Sequence, residues 1–591
     1  MKDLKRTKIV CTIGPSCHDV EKLKKMLAAG MNVARFNFSH GDHKEKKDQM
    51  DVVKEAVKQS GIPCAYLLDT KGPEIRTGGV LKDGKKIQLE AGKEILLTVK
   101  DYETFECSAE KIALSYELLP EDIRNVGITD KTYVYIADGV FKLKVLEVMP
   151  NDDIRCLIEA GGELGARKNV NVVGVHTRLP AMAEKDKADL KMGVENGIHF
   201  IAASFIRKAS DVMEMRKYLA DDCKCTDVKI ISKIEDDEGL SNIDDIIRVS
   251  DGIMVARGDL GVQIPIQDIP LAQKKIIAKC NAAGKPVITA TQMLDSMINN
   301  PRPTRAESND VANAIFDGTD AVMLSGETAN GDWPIEAVTT MATIAKTIED
   351  SEEYRATTNK YMELHPARNI AEATAKATYI SAKELNAEVI IAPTMSGNTA
   401  KQISKFRPKQ IIFAPTTSER VARQLMILSG VYSDVVDVIE DTDALFDKSI
   451  ELALEKGYLD NFEKAVILAG VPNIMKIHTA CKKQCRADKG FGCTATGKIV
   501  KVANAEEAKK VAEGSILLTA KLDESFKGAL KNVKGIILED SSEFSFDVLK
   551  EENANLVAMV SGVKNASALF ENGEEVIVSG CEMSIYSGKV K

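Results

Sequence analysis

VKIISKIEDDEGLSNIDDIIRVSDGIMVARGDLG, residues 228–261, opens and closes on short apolar runs rich in β-branched residues, with helical or polar sequence between them. Strand, crossover, strand is the order a parallel sheet requires. Both runs end on charge: Lys233 and Glu235 close the first, and Asp259 follows the second. Successive side chains in a strand alternate faces, so Lys233 and Glu235, two positions apart, point the same way. Taken alone, such a pair reads as a structural ion pair.

Repetition along the chain gives the pair another meaning. Runs of the same kind recur at TKIVCTIGP (7–15), NVARFNFSHG (32–41), CAYLLDTKGP (64–73), HFIAASFIR (199–207), KPVITATQML (285–294) and DAVMLSGETA (320–329), which with the two above make eight. Eight near-continuous apolar strands alternating with helices predict an α/β protein built on a closed (β/α)8 barrel. The polar residues gather at the C-terminal ends of the runs, the rim where such barrels build their chemistry. Arg35, Asn37, Ser39, Asp69, Thr70, Lys233, Glu235, Asp259, Thr291 and Glu327 are therefore expected at one mouth.

The barrel is assigned to residues 1–72 and 178–345. Between them, 73–177 carries alternating patterns such as KKIQLEAGKEILLTV and KTYVYIADGVFKLKVLEV, and is read as a small β-domain inserted after the third barrel strand as a lid. Within it GVLKDGKK (79–86) approaches a phosphate-loop pattern, but lysine stands where Ser or Thr is needed and strand sequence follows, so a hairpin turn is expected. Residues 346–478 return to helix and strand, predicting a doubly wound α/β domain. Residues 479–591 mix short strands (GKIVKV, GSILLTA, GIILED, EVIVSG) with the helical patterns AEEAKKVAEG and SFKGALKNV, an extra mixed α/β appendage.

Composition narrows the partners. With 44% hydrophobic and 28% charged residues the 591-residue chain is ordinary globular protein. A formal charge of −9 argues against nucleic acid as a partner. No signal-peptide pattern or run of 18 apolar residues occurs, which predicts a cytoplasmic protein with no membrane partner. Twelve scattered cysteines fit reduced thiols, and the tightest set, His478, Cys481, Cys485 and Cys493, is loosely spaced for zinc.

Glu235 and Asp259 offer hard oxygens for Mg²⁺, which takes one or two carboxylates from protein and the rest from phosphates and water. Arg35 and Lys233 suit a phosphoryl group in transit, whose transition state spreads negative charge over its oxygens. Asn37, Ser39, Asp69 and Thr70 make an oxygen-rich set suited to a second, monovalent cation. The turn at Gly258–Gly261 lets backbone approach a ligand, with amides at a helix start to hold a carboxylate.

MNVARFNFSHG, LLDTKGPEIRTG, LPAMAEKD, ASFIRKASDV, IISKIE, DGIMVARGDLG, ITATQMLDSM and PRPTRAESNDVANAIFDGTDAVMLSGETA together resemble the pyruvate kinase family, over about residues 1–475 and in the family's order. The resemblance implies transfer of the phosphoryl group of phosphoenolpyruvate to ADP in glycolysis, with Mg²⁺ (or Mn²⁺) and K⁺, by a cytoplasmic homotetramer. It implies that Lys233 stabilises the transferring group and Arg35 binds it. Glu235 and Asp259 would hold the divalent ion, and Asn37, Ser39, Asp69 and Thr70 would hold K⁺. Gly258, Asp259 and Thr291 would orient the substrate carboxylate, with Thr291, Ser325 and Glu327 in the proton network. His40, Arg76 and Lys185 match nucleotide-contacting positions, and Glu74 matches the K⁺-dependent form of the family.

The family's third domain commonly binds a phosphorylated allosteric effector, and TMSGNT (394–399) matches its phosphate loop through Thr394, Ser396, Gly397, Asn398 and Thr399. The companion loop departs from the pattern, because AGVPNIMKIHTA runs almost directly from Val471 and Pro472 to Asn473. The last segment resembles the mobile phosphohistidine domain of phosphoenolpyruvate-using enzymes, yet SSEFSFDV (541–548) stands where Thr-x-His-Ala is expected and no histidine follows His478. A structural or subunit-contacting role is expected for it. Two alternatives stay open at this level: another metal-dependent barrel acting on phosphoenolpyruvate or pyruvate, of aldolase or mutase type, and a catalytically silent regulatory relative.

Overall fold

The computed structural model describes residues 4–364, 366–439, 441–461, 463–470, 473–479, 483–540 and 545–587. Eight parallel strands close into a barrel: β1 (Lys8–Thr12), β2 (Val33–Asn37), β3 (Ala65–Asp69), β4 (Phe200–Ala203), β5 (Lys229–Ile234), β6 (Gly252–Ala256), β7 (Val287–Ala290) and β8 (Ala321–Leu324). Neighbours follow chain order, and β8 closes onto β1 with Lys8 opposite Ala321.

The strand period sorts the side chains. Ile9, Cys11, Phe36, Leu68, Ile230 and Val255 face outward and pack with Leu23, Met26, Met50 and Val53 of the surrounding helices. Val10, Val33, Leu67, Ile231 and Met254 fill the interior. Helix ends are fixed locally: Asp42 caps His43–Ser60 by accepting from Glu45 N–H, and Thr304 and Glu307 form a reciprocal capping box on Arg305–Phe316.

Between β3 and β4 the chain builds a seven-stranded sheet from Ile75–Arg76 to Asn169–Val173, closed over Leu97, Val134, Leu143 and Ile154. GVLKDGKK does not form the expected hairpin. Val80–Leu81 pairs with Glu106–Cys107 and Ile87–Leu89 pairs with Gly162–Leu164, so the turn at Asp83 and Gly84, both at positive φ, links strands of two different small sheets.

A five-stranded sheet follows, ordered Val431–Tyr432, Ile411–Phe413, Val389–Ile391, Lys464–Gly470, Asn473–Thr479, with only the last pairing antiparallel. It docks on the N-terminal face of the barrel. Lys8 Nζ donates to Val431 O at 2.6 Å and lies 3.7 Å from the Tyr432 ring centre, while Arg407 grips Asp320 at 2.7 and 2.9 Å. Val471 and Pro472, where the effector clamp departs from the family, lie outside the described residues.

The last segment forms an eight-stranded mixed sheet with apolar cores on both faces, one around Leu517 and Ile536, the other around Ile516 and Ile537. The helix expected over SFKGALKNV is absent: one 3-10 turn, Glu524–Phe526, gives way to Gly528 at φ 74°. Residues 541–544 and Cys481 lie outside the described residues. No helix among the described residues is long and apolar enough to cross a membrane.

Candidate active site

The strand period that fills the barrel also builds its mouth. Val10 is followed two residues on by Thr12, Val33 by Arg35 and Asn37, Leu67 by Asp69, and Ile231 by Lys233 and Glu235. Every second side chain faces inward, so the apolar filling turns polar where the strands end.

Lys233 is the hub. Its ammonium lies 3.1 Å from Asp69 Oδ1, 2.9 Å from Glu235 Oε1 and 2.8 Å from Ser204 Oγ. Burial alone would lower its pKa, but the Asp69 and Glu235 carboxylates raise it above the ordinary lysine value. Arg35 holds the other oxygen of Asp69 through Nε at 2.6 Å and reaches Thr12 Oγ1 at 2.8 Å. Burial pushes Asp69 up, yet the two cations win and hold it below its usual range.

Glu235 is further fixed by the Phe205 N–H, 2.6 Å from Oε2 and presented by a residue at φ 53°. Asp259 shares a hydrogen bond with Glu235, and burial together with that neighbouring carboxylate pushes it up to about 7.

The β6 and β7 ends form one tight corner. Thr291 and Gln292 both have positive φ, and Arg257 clamps the turn by donating to Ala290 O at 3.1 Å and Thr291 O at 2.6 Å while pairing with Asp310 at 2.6 Å. A Cβ on Gly258 would fall 2.9 Å from Thr291 Cγ2, so glycine permits this approach. At the β8 end, Glu327 is buried and accepts from Ser325 N–H at 2.7 Å and Leu294 N–H at 3.1 Å; burial raises its pKa.

Asn37 and Asp69 are register partners across β2 and β3. Asn37 Oδ1 accepts from Ser39 N–H at 3.0 Å, and Thr70 is tied to Ser204 through two hydrogen bonds. His40 is exposed at the rim. Lys185 bridges Phe38 O and Asp189 Oδ2, each at 2.7 Å. Arg76 belongs to the inserted sheet, bound to Glu74 Oε2 at 2.9 and 2.5 Å. An open cleft of ≈ 820 Å³ runs between that sheet and the rim, walled by Glu74, Asn171, Phe205, Arg207, Asp236 and Asp259.

Thr394, Ser396, Gly397, Asn398 and Thr399 are not part of this mouth. They form the turn into the helix Asn398–Ser404 of the third domain, where Gly397 has φ 84° and its N–H donates to Thr394 Oγ1 at 2.9 Å. Thr12, Ser204 and the Phe205 amide escaped the sequence reading. Thr12 and Ser204 stand at the ends of β-like runs, and the same strand-end rule would have reached them.

Residues 4–338 match the family model of the pyruvate kinase barrel domain, and residues 372–480 match that of the pyruvate kinase alpha/beta domain. The chain belongs to the pyruvate kinase family. It is 43% identical over 595 residues to the pyruvate kinase of Geobacillus stearothermophilus and 42% identical over 596 to that of Sporosarcina psychrophila, with 99% of both chains covered in each case. Among solved structures it resembles a pyruvate kinase from Cryptosporidium parvum, with TM-score 0.76 and 42% identity over 80% of this chain and 96% of that one. The two bacterial pyruvate kinases thus also carry the segment beyond residue 480, where the family models stop. Full-length kinship of this kind makes the chain a phosphotransferase and disfavours both alternatives.

Pyruvate kinases in general use a divalent metal and potassium, and the donors here suit both. Among the described residues no group of three His, Cys, Asp or Glu side chains is arranged to cage a metal. Two neighbouring carboxylates, Glu235 and Asp259, at an open mouth instead suit a divalent ion that completes its shell with substrate oxygens. The oxygen-only set at Asn37, Ser39, Asp69 and Thr70 suits a monovalent one.

Proposed function

We propose that Lys233, Arg35, Glu235, Asp259 and Thr291 carry out phosphoryl transfer from phosphoenolpyruvate to ADP at the barrel mouth. An ADP oxygen attacks phosphorus, the bond to the enol oxygen breaks, and protonation of the resulting enolate at carbon gives pyruvate. The observation that carries this reading is the Lys233 ammonium, kept charged by two carboxylates and aimed into the barrel mouth. Such a preorganised cation is what a dispersed phosphoryl charge needs.

Arg35, braced by Asp69 and Thr12, binds the same phosphoryl group. The Gly258 and Asp259 amides with Thr291 orient the substrate carboxylate, and the clamp from Arg257 keeps that corner in place. Thr291, Ser325 and Glu327 organise the proton delivered to the enolate. His40, Arg76 and Lys185 meet the nucleotide, and closure of the inserted sheet over the cleft excludes water.

Two cationic side chains here face three carboxylates, Asp69, Glu235 and Asp259, so an anionic substrate needs further positive charge. Mg²⁺ or Mn²⁺ held by Glu235 and Asp259 would supply it to the phosphate and enol oxygens, with K⁺ at Asn37, Ser39, Asp69 and Thr70. The family resemblance further supports a cytoplasmic homotetramer and a phosphorylated effector at Thr394–Thr399. The segment 479–591, without histidine, is assigned a structural role.

The test is stoichiometry. Phosphoenolpyruvate and ADP should give pyruvate and ATP in equal amounts; pyruvate without ATP would overturn the reading.

A further inference from the structure

The third domain meets the barrel around a second cavity, at the opposite end from the catalytic mouth. It is a notch open to solvent, ≈ 200 Å³ with the solvent at its mouth included, and its walls include Asn281, Lys285 and Asp320 from the barrel and Lys401, Lys405 and Arg407 from the third domain. Lys285 and Asp320 precede β7 and β8, which places the cavity at the N-terminal ends of those strands.

The cations are not equally satisfied. Arg407 is matched by Asp320 at 2.7 and 2.9 Å, and Lys405 by Glu372 at 3.0 Å. Lys285 donates to the neutral Ser250 carbonyl at 2.5 Å. The half-buried Lys401 ammonium has no hydrogen-bond or ion-pair partner among the described residues. Two ammonium groups thus line one cavity without an ion-pair partner. Burial, then Lys285, pushes Lys401 down to about 8, and burial also lowers Lys285. Unmatched half-buried charge is costly unless a ligand completes it.

We propose that this cavity is a binding site for a phosphate group, held by Lys285 and Lys401 across the domain junction. The ligand is inorganic phosphate or a small phosphomonoester. A dianion would pair with both ammonium groups and tie the two domains together, and charge-assisted hydrogen bonds of this kind are the strong ones. The site is separate from Thr394–Thr399, although Lys401 lies on the helix those residues open.

The test is thermal unfolding of the full chain in EDTA at constant ionic strength, titrated with inorganic phosphate and, in a second arm, methyl phosphate. The parent should show a saturable rise in Tm. Lys401→Met and Lys285→Met should weaken the apparent affinity by at least about tenfold, while Lys401→Arg keeps it. Thr399→Val, in the other phosphate loop, should also keep it. Without phosphate, Lys401→Met should melt at or above the parental temperature, because it removes an unpaired cation, so folding failure is not the expected outcome. Preference for one anion over the other identifies the ligand's source. Titrations that coincide for the parent, Lys401→Met and Lys285→Met, or a loss confined to Thr399→Val, overturn the proposal.

Discussion

The Lys233 ammonium sits 2.9 Å from Glu235 Oε1, two residues further along the same inward-facing register. The contact is an ion pair at the open end of a barrel, with Glu235 buried and the Lys233 side chain 12% exposed. A buried pair retained for stability alone gains little over apolar packing. At the mouth proposed to receive phosphate and metal together, the same geometry would keep a cation and a carboxylate ready for separate ligands.

The Asp259–Glu235 contact gives the metal-free protein a pH signature. Burial and Glu235 raise Asp259 from 3.8 to about 7. A carboxyl raised on folding stabilises in its protonated form, so its contribution is full below the unfolded pKa and is lost as pH rises through the folded one. In EDTA, Tm should therefore fall between pH 4 and 7, and Asp259→Asn should flatten part of that fall. Asp236, pushed up to about 6 mainly by burial, adds a slope of the same sign, which comparison of variant with parent removes. Mg²⁺ added at about pH 6 should release protons. A slope indifferent to Asp259→Asn counts against this.

Gly258→Ala should lower kcat/KM for phosphoenolpyruvate. The new methyl would lie 2.9 Å from Thr291 Cγ2, and an ångström-scale displacement of a substrate-positioning group costs up to about a hundredfold. Thr291→Ser removes that Cγ2 and keeps the hydroxyl, so the double variant should recover most of the loss. No recovery would mean that the corner acts in some other way.

Glu74 predicts dependence on K⁺. Its carboxylate is engaged by Arg76 at 2.5 Å and Lys71 at 3.5 Å, and it brings no positive charge of its own to the mouth. Replacing all K⁺ by tetramethylammonium at saturating Mg²⁺ should slow turnover by at least about tenfold, about 1.4 kcal/mol in the barrier. Unchanged turnover would remove K⁺ from the account.

Deleting residues 480–591 should leave kcat within roughly twofold, as expected of a segment with its own cores. Complete loss of activity in a truncated protein that is still folded and keeps the parental oligomeric state would assign the segment a catalytic part.

Much of the mouth was legible because period-2 alternation and charge coincide there: Arg35, Asp69, Lys233 and Glu235 stand out against apolar neighbours. Thr12 and Ser204 carry no charge, and the Phe205 contribution is a backbone amide that every residue shares. Nothing near Lys8 in the chain marks its role, because its partners Val431 and Tyr432 are more than 400 residues away. SFKGALKNV followed helical periodicity, but Gly528 at φ 74° breaks it into turns. Long-range docking and backbone donors leave no local pattern to read.

The most direct test of the central claim compares pyruvate formation from phosphoenolpyruvate and ADP by the parent and by Lys233→Met. Loss of a preorganised donor to transition-state charge predicts a fall in kcat of about 10²–10³. Tm should be followed alongside, since leaving the buried Glu235 without its cation, while Asp69 keeps Arg35, destabilises by up to roughly 3–5 kcal/mol. A folded Lys233→Met protein turning over at the parental rate would contradict the account.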